Sequence, residues 1–315
     1  MKPDIVKEAS TTLNIYKNEQ SIIAKPFIKW AGGKGQLIEE ISKRLPIGLG
    51  FSINKYAEPF VGGGAVLFYL LSNYNFKEVY ISDINLDLIN TYKIIRDNPY
   101  ELISLLKTLK EQYTNTNSQK NFYYDVRNKY NTLKINNDLN TNIEKAGLFI
   151  FLNKTCFNGL YRVNRKGKFN VPRGSYKNPA ICDEDNLINV SILLKNVIIE
   201  WKDYKASKGF IDENTLVYFD PPYRPLNQTS NFNTYTQDGF SDKDQIELAN
   251  FVQEISKKDA KIILSNSDPK NISNNDNFFD DLYSDFKITR ISATRMINSK
   301  GSARGKINEL LITNF

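Results

Sequence analysis

The run Leu216-Val217-Tyr218-Phe219-Asp220-Pro221-Pro222-Tyr223 decides how this chain of 315 residues folds. Residues 216–219 predict a buried strand of a parallel sheet, because strands that are covered on both faces are continuously apolar. Two prolines then end the strand, since proline lacks the amide hydrogen that a central strand requires. We therefore expect a stiff loop with one carboxylate and one aromatic ring at the carboxyl edge of the sheet, where open α/β sheets bind ligands.

This loop suits the activation of an amino group on an aromatic base. The lone pair of such a nitrogen is delocalised into the ring, so the nitrogen must become more tetrahedral before it attacks an electrophile. Two acceptors aimed at its N–H groups favour that change, and the side chain of Asp220 and the carbonyl of Pro221 provide them. Tyr223 adds a ring face for stacking. By itself, the motif is equally compatible with a proline-rich turn that an aspartate caps.

Composition narrows the chemistry. The chain contains no histidine, which excludes histidine-dependent hydrolases and zinc sites. Cys156 and Cys182 form no metal or disulfide pattern, so a reducing cytoplasm is expected. The net charge of +7 suits a polyanionic partner. No apolar run approaches the roughly 20 residues that span a membrane, and we expect residues 1–25 to form a dispensable arm rather than a signal peptide.

Two strand–turn–helix units precede the central run. In the first, a strand leads through Glu58-Pro59-Phe60-Val61 to three consecutive glycines and a helix, and such glycines let a backbone pass close to a ligand. In the second, residues 78–83 form a strand that ends in Asp83, and Asn85 can then start the following helix. This aspartate lies about 20 residues beyond the glycines, where an acidic side chain can accept hydrogen bonds from both ribose hydroxyls. The alternative for Asp83 is a plain helix cap.

Residues 98–154 lack strand signals and predict an inserted helical domain. It ends in a predicted β-hairpin, in which residues 160–164 and 168–171 flank Arg165-Lys166-Gly167. Basic residues alternate here with aromatic ones, a combination that favours nucleic acid over a solvated hairpin whose rings pack inward. An arginine in such a hairpin can read guanine through two hydrogen bonds in the major groove.

Further segments complete the predicted sheet. Strands are expected at residues 197–201, 261–266, 286–291 and 307–313. A polar loop at residues 225–240, long enough to close over a substrate, precedes a helix that Ser241 caps. A glycine-rich bend at residues 31–35 leads to a helix expected at 36–44, and its spacing does not match a Walker phosphate loop. A second basic loop is expected at residues 295–304.

These motifs, in this order, resemble the Dam-like family of DNA adenine-N6 methyltransferases over residues 27–315. They are Phe-x-Lys-Trp-Ala-Gly-Gly-Lys from Phe27, Glu-Pro-Phe-Val-Gly-Gly-Gly from Glu58, Ser-Asp-Ile-Asn from Ser82, Asn-Gly-Leu-Tyr-Arg-Val-Asn from Asn158, Phe-Asn-Val-Pro from Phe169 and Asp-Pro-Pro-Tyr from Asp220. The resemblance implies an α/β fold, with a mixed, Rossmann-like sheet of seven strands. It divides the chain into an arm (1–25), a catalytic domain (26–97 and 190–315) and a helical recognition domain with a β-hairpin (98–189).

The resemblance also implies S-adenosylmethionine as the cofactor. The target adenine would be flipped out of the duplex, at a cost of roughly a few kcal/mol, because its N6 atom is otherwise enclosed. Asp220, Pro221 and Tyr223 would hold the flipped base. The residues implied in cofactor binding are Trp30, Lys34, Glu58, Phe60, Gly62, Asp83 and Asp220.

Contacts with double-stranded DNA follow from the same resemblance. Phe157 matches a residue that wedges beside the target step, and Asn158 matches one near the vacated site. Arg162 matches the arginine that reads guanine, and Lys29 matches a residue that reaches the first guanine. Relatives with this hairpin methylate GATC, which is therefore the expected site.

Two more positions of the hairpin match the family, and one departs from it. Leu160 and Pro172 match positions near a thymine methyl group. After Pro172, relatives tend to have an aromatic residue, glycine and then arginine, whereas this chain has Arg173-Gly174-Ser175. The contact that the family's arginine makes is therefore in doubt here.

The expected role is the modification part of a restriction–modification system, acting as a cytoplasmic monomer beside a separate nuclease. One alternative is a DNA-binding module with an inactive cofactor pocket, which predicts damaged catalytic motifs. Another keeps the enzyme but moves the substrate to RNA or to a protein glutamine, whose amide needs similar activation. The intact run from Asp220 to Tyr223 and the basic hairpin favour methylation of duplex DNA over both.

Overall fold

A sheet of seven strands organises the computed structural model, which describes residues 22–30, 32–224, 240–294 and 306–315. The strands are β1 (Lys55–Glu58), β2 (Glu78–Asp83), β3 (Val197–Trp201), β4 (Thr215–Phe219), β5 (Lys261–Ser267), β6 (Lys287–Thr294) and β7 (Lys306–Thr313). They lie in the order β3-β2-β1-β4-β5-β7-β6. The first five are parallel, and β7 is antiparallel to both of its neighbours. The structure thus confirms the mixed, Rossmann-like sheet.

Helices cover both faces of this sheet. They are α1 (Ile38–Ser42), α2 (Ala65–Asn73), α3 (Leu86–Asp97), α4 (Pro99–Asn115), α5 (Gln119–Thr132), α6 (Leu139–Thr155), α7 (Glu184–Leu194), α8 (Asp242–Ser256) and α9 (Phe278–Leu282). In β4, Tyr218 packs into the hydrophobic cluster of α2, α3 and α7, whereas Val217 packs into that of α8 and α9. All five residues of β4 are buried, because both faces are covered.

The helical segment from α4 to α6 shares its core with the sheet. Leu106 of α4, Tyr123 of α5 and Phe151 of α6 belong to the same hydrophobic cluster as α3 and Tyr218. The division into a catalytic and a recognition domain stays a prediction, because this continuous cluster marks no boundary between them.

The predicted hairpin is present in reduced form. Val163 and Phe169 form a single antiparallel bridge around a turn, instead of two regular strands. Asn131 of α5 binds the outer side of this bridge, because its side chain accepts from the amide of Phe169 over 2.8 Å and donates to its carbonyl over 3.0 Å. The hydrogen bonds of the bridge itself join Asn164 to Lys168 and Asn170 to Arg162, so Asn131 satisfies the backbone groups of Phe169 that face away from Val163.

Some segment boundaries differ from expectation. The helix expected at residues 36–44 is a 3₁₀ turn, Lys34–Gln36, followed by α1. The capping residues Asn85 and Ser241 begin α3 and α8 as predicted, while α7 and α9 were not anticipated. Most of the predicted arm and the predicted loops at 225–240 and 295–304 lie outside the described residues. No helix in the described parts of the chain is long and apolar enough to cross a membrane.

Candidate active site

Asp220 lies directly after β4, at the carboxyl edge of the sheet. Its Oδ1 atom lies 2.7 Å from Nζ of Lys34 and accepts a hydrogen bond of 3.1 Å from the hydroxyl of Ser265 in β5. No residue in the described ranges donates to Oδ2. Burial raises the pKa of Asp220, and the Lys34 ammonium acts in the opposite direction. One carboxylate oxygen is therefore held in place, and the other is available as an acceptor.

The two prolines give their carbonyl groups different surroundings. The carbonyl of Pro222 accepts a hydrogen bond of 3.1 Å from the buried side chain of Gln245 in α8. Gln245 is in turn held by the amide of Asn266. Among the residues that the structure describes, none donates to the carbonyl of Pro221. The loop thus fixes one carbonyl and leaves open the one that the sequence nominates as the second acceptor.

Tyr223 is held at both its ring and its hydroxyl. The hydroxyl donates to Oε2 of Glu309 in β7 over 2.5 Å, and Nζ of Lys34 lies 4.5 Å from the ring centroid. Burial raises the pKa of Tyr223 well above its usual value, so the phenol stays protonated at neutral pH. Lys34 is only 4% exposed, so its contacts with the ring of Tyr223 and with the carboxylate of Asp220 both lie within the protein.

A buried carboxyl group ends β1. Glu58 is 2% exposed and accepts a hydrogen bond of 2.6 Å from Tyr56. Burial, reinforced by the charge of Asp220, raises the pKa of Glu58 well above its usual range. Phe60 follows, partly buried, with its ring stacked on that of Tyr204 at 5.4 Å between centroids. Cysteine and acidic side chains form no cluster of three that could bind a metal ion in the described part of the chain.

Asp83, at the end of β2, contacts the glycine turn. Its Oδ2 atom accepts a hydrogen bond of 3.1 Å from the amide of Gly62, and Oδ1 accepts one of 2.9 Å from the amide of Asn85. Burial raises the pKa of Asp83 to about 6. Because the side chain of Asn85 caps α3, the helix-cap alternative does not account for Asp83 fully. Its ribose role stays a prediction.

Trp30 packs directly on the same glycine turn. A Cβ atom at Gly62 would lie 2.8 Å from the indole ring, and one at Gly63 would lie 3.0 Å from Cβ of Trp30. Gly62 also has a φ of 46°, which residues with a side chain rarely adopt. The indole stacks on Tyr161 of the hairpin at 5.5 Å between centroids. Trp30 thus connects the predicted cofactor residues with the segment predicted to read DNA.

Lys29 makes a second connection through its backbone. Asn153 of α6 accepts a hydrogen bond of 2.8 Å from the amide of Lys29 and donates one of 2.8 Å to its carbonyl. The side-chain amide of Asn153 also donates to the carbonyl of Gly159 over 3.0 Å. The Lys29 side chain runs along Gly159, and its Nζ donates to the hydroxyl of Tyr176 over 3.3 Å.

Residues 157–174, which we term the recognition loop, carry the other predicted DNA contacts. Their side chains are exposed or partly exposed, and they are those of Phe157, Asn158, Leu160, Arg162 and Pro172. The amide of Phe157 donates to the carbonyl of Pro172 over 2.9 Å. The guanidinium of Arg162 donates to Asn170 over 2.9 Å. The candidate contacts therefore share one exposed segment, and their DNA-binding roles stay predictions.

Arg173, where the sequence departs from the family pattern, contacts the helices. Its Nε atom donates to the hydroxyl of Tyr113 over 3.0 Å, and its Nη2 atom donates to Gln119 over 3.0 Å. The guanidinium thus braces the end of the recognition loop against α4 and α5. This contact resolves where the side chain lies, which the sequence left open.

Sequence reasoning missed the residues that hold the predicted site in place. Ser265, Gln245, Glu309 and Asn153 each contact a predicted site residue or its neighbour. Ser265, Glu309 and Asn153 are polar residues inside largely apolar strands or helices, and a buried polar side chain requires a partner. That pattern was a usable signal, although it does not reveal which partner each side chain meets.

Comparison with known proteins places the chain among methyltransferases. Residues 30–297 match the family model described as D12 class N6 adenine-specific DNA methyltransferase. The chain is 51% identical over 295 residues to Type II methyltransferase M.MjaIII of Methanocaldococcus jannaschii, covering 92% of this chain and 99% of the relative. It is 38% identical over 299 residues to Type II methyltransferase M1.LlaDCHI of Lactococcus lactis, covering 94% and 98%. The DNA adenine methylase of Salmonella typhimurium is 35% identical over 288 residues, covering 91% and 94%.

Proposed function

The chain belongs to the D12 class of N6 adenine-specific DNA methyltransferases, and we propose that it transfers methyl from S-adenosylmethionine to adenine within GATC in duplex DNA. Membership makes it an adenine-specific DNA methyltransferase. The observation that carries the finer proposal is the buried contact of Lys34 with Asp220, beside the open carbonyl of Pro221. It joins a candidate cofactor residue directly to a candidate base-binding residue.

The residues at the ends of β1 and β2 fit S-adenosylmethionine, which methyltransferases generally use. A Cβ atom at Gly62 would lie 2.8 Å from the indole of Trp30 and one at Gly63 would lie 3.0 Å from its Cβ, so this turn tolerates only a bare backbone there. Asp83 offers carboxylate oxygens to ribose hydroxyls, and Phe60 offers an apolar surface. The proposed cofactor residues are Trp30, Lys34, Glu58, Phe60, Gly62, Asp83 and Asp220. When bound, S-adenosylmethionine supplies a methyl group that a positively charged sulfur activates.

The loop after β4 is proposed to activate the target amine. Lys34 and Ser265 hold Oδ1 of Asp220, which leaves Oδ2 to accept one N6 hydrogen. The carbonyl of Pro221 accepts the other. Two acceptors at fixed positions favour the tetrahedral nitrogen of the transition state over the planar nitrogen of the free base.

Asp220 positions and polarises the amine rather than acting as a strong base. The Lys34 ammonium at 2.7 Å stabilises its carboxylate form, and the chain has no histidine to take the proton. The proton therefore leaves to water after the transfer. Tyr223 stacks on the flipped adenine, which helps to offset the roughly few kcal/mol that unstacking costs.

The recognition loop and Lys29 are proposed to bind the duplex. Phe157 is 52% exposed, as a wedge between base pairs must be. Arg162 is exposed on the same loop and suits a guanine edge. The remaining proposed contacts are Lys29, Asn158, Leu160 and Pro172.

The biological role is proposed from the names of relatives. M.MjaIII and M1.LlaDCHI are named Type II methyltransferases, which supports modification within a restriction–modification system. The relative from Salmonella typhimurium is named DNA adenine methylase, which supports the adenine target. We propose a cytoplasmic monomer that acts independently of a separate restriction endonuclease.

The deciding experiment measures transfer of labelled methyl to duplexes that contain GATC, with GTTC and GACC duplexes as controls. Label at N6 of adenine in GATC alone is the expected result. Label spread over other sequences would refute the GATC assignment. Better labelling of RNA or of a protein glutamine would refute the duplex substrate, and tight DNA binding without labelling would indicate an inactive cofactor pocket.

A further inference from the structure

Two asparagines dock residues 22–30 onto the helices. Asn186 of α7 accepts a hydrogen bond of 2.9 Å from the amide of Lys25 and donates one of 3.0 Å to its carbonyl. Asn153 of α6 makes the same pair of hydrogen bonds with Lys29, each of 2.8 Å. The two side chains belong to residues that are 7% and 3% exposed. Each side chain therefore satisfies the backbone N–H and C=O groups of one residue, as a neighbouring strand would.

Asn153 differs from Asn186 in one contact. Its amide also donates to the carbonyl of Gly159 over 3.0 Å, which ties Lys29 to the recognition loop. Gly159 has a φ of 66°, and a Cβ atom there would lie 2.4 Å from Cδ and 2.8 Å from Cβ of Lys29. The recognition loop and Lys29 are therefore in direct contact around this one amide.

The two partners of Asn153 connect it with the candidate catalytic residues and with the predicted DNA contacts. Lys29 is followed by Trp30, which packs on the glycine turn, and by Lys34, which contacts Asp220. Gly159 directly follows the exposed Phe157 and Asn158. A displacement of either partner at this junction changes the position of the recognition loop relative to the catalytic carboxylate.

We propose that Asn153 is a positioning residue, which sets the recognition loop relative to the Lys34–Asp220 pair so that a cognate sequence speeds methyl transfer. This inference rests on the proposed function, because it takes the recognition loop as the segment that contacts DNA. Asn153 acts through Lys29 and Gly159, without touching the base or the methyl donor. A displacement of about 1 Å can cost on the order of a hundredfold in rate.

The test compares Asn153→Ala with Asn186→Ala in the full chain. Both variants lose a buried amide that pairs with one residue of segment 22–30, but only the first loses the link to the recognition loop. For each protein, kcat and KM are measured on the preferred duplex of the unmodified protein and on a duplex with one base pair changed. Melting temperatures report the loss of stability.

We expect Asn153→Ala to lower kcat on the preferred duplex about tenfold or more, and the preference over the changed duplex about fivefold. Its KM for DNA should change less than about threefold. Asn186→Ala should leave the rate and the preference within about twofold at a comparable melting temperature. Equal losses in both variants, or normal kcat and preference in Asn153→Ala, would refute the positioning role.

A second variant keeps the test decisive if Asn153→Ala does not fold. Gly159→Ala disturbs the same junction from the loop side, and normal kcat and preference in that protein would also refute the proposal. Failure of the GATC assignment is seen separately, as a different preferred sequence of the unmodified protein. The effect of Asn153 is then judged on that sequence.

Discussion

The recognition loop differs from the catalytic edge, which we define as the proposed catalytic residues 220–223, in how its side chains are held. At the catalytic edge, Asp220 is bound by Lys34 and by β5, and Tyr223 is bound by β7. In the recognition loop, the hydrogen bonds of the Arg162 guanidinium and of the Phe157 amide stay within the loop itself. Distant elements thus fix the side chains of the catalytic edge. In the recognition loop, Asn131 and Asn153 bind only the backbone, and the side chains of Phe157 and Arg162 are exposed to solvent.

This difference teaches which requirement each region meets. An acceptor that stabilises a transition state must be in place beforehand, because reorganisation during the reaction costs rate. A side chain that reads base edges must keep its donors accessible until DNA arrives. Substitutions at the catalytic edge should therefore change the rate on every sequence, whereas those in the recognition loop should change which sequence is chosen.

The largest effect is expected for Asp220→Asn at the catalytic edge. Loss of the carboxylate removes a proposed acceptor and the ion pair with Lys34, so methyl transfer should slow about a hundredfold to a thousandfold. Single-turnover transfer measures this rate, and fluorescence anisotropy should show duplex binding within about threefold of normal. A rate close to normal would contradict the role of Asp220 as an acceptor in methyl transfer.

Asp268→Asn is the matched control for Asp220→Asn. Asp268 is a fully buried carboxylate directly after β5, and it lies 3.0 Å from Nε of Arg290. Its loss also breaks an ion pair at the end of a strand, but outside the proposed site. The melting temperature should fall, while the rate stays within about threefold.

The next effect concerns the pH dependence of cofactor binding at Asp83. Burial raises the pKa of Asp83 to about 6, so the carboxylate, which is proposed to accept from ribose hydroxyls, is present above pH 6 and lost below it. Affinity for S-adenosylmethionine should therefore fall up to about tenfold per pH unit below pH 6. Calorimetric titrations between pH 5 and 8 measure it. Asp83→Asn should bind more weakly with a flat profile, and a flat profile in the unmodified protein would contradict the ribose contact.

The same shift has a consequence for stability. The folded-state pKa of Asp83 is raised from 3.8 to about 6. Its favourable contribution to the free energy of unfolding is therefore fully present below pH 3.8 and is lost as the pH rises to about 6. Urea unfolding measures this free energy across the pH window, and it should fall more steeply with rising pH in the unmodified protein than in Asp83→Asn.

Arg162→Ala sharpens the comparison from the side of the recognition loop. Loss of a guanine contact should cost about 1–3 kcal/mol of discrimination at one base pair and leave transfer to non-cognate duplexes nearly unchanged. Competition between GATC and singly substituted duplexes measures it. Lys168→Ala removes an equally exposed charge from the same loop, and it should weaken binding on all sequences alike. A uniform loss in Arg162→Ala would instead mark a phosphate contact.

The smallest effect on sequence choice is expected for Arg173→Ala. Because its guanidinium binds Tyr113 and Gln119, the variant should lose about 1–2 kcal/mol of stability. The preference among duplexes should change less than about twofold. An altered preference would show that Arg173 reaches DNA.

Local patterns carried the successful predictions. An apolar run that two prolines end defines β4 and the position of Asp220 without knowledge of any other segment. The caps at Asn85 and Ser241 are equally local, since each side chain binds an amide three residues ahead. Such features depend on neighbouring residues alone, so the sequence displays them directly.

Contacts across long separations could not be predicted. Glu309 binds Tyr223 across 86 residues, and Asn153 binds Lys29 across 124. Asn131 likewise binds the backbone of Phe169 from 38 residues away. Nothing in spacing or periodicity specifies which distant backbone a buried amide will meet.

The position of β7 between β5 and β6 has a consequence for synthesis on the ribosome. The chain emerges with β6 before β7, yet among the described strands β6 pairs with β7 alone. Glu309, which binds the hydroxyl of Tyr223, also belongs to β7. When Asp220, Pro221 and Tyr223 have emerged from the ribosome, the chain therefore still lacks the complete sheet and the anchor for the ring of Tyr223. The strand that anchors the hydroxyl of Tyr223 is therefore synthesised after the loop that it holds in place.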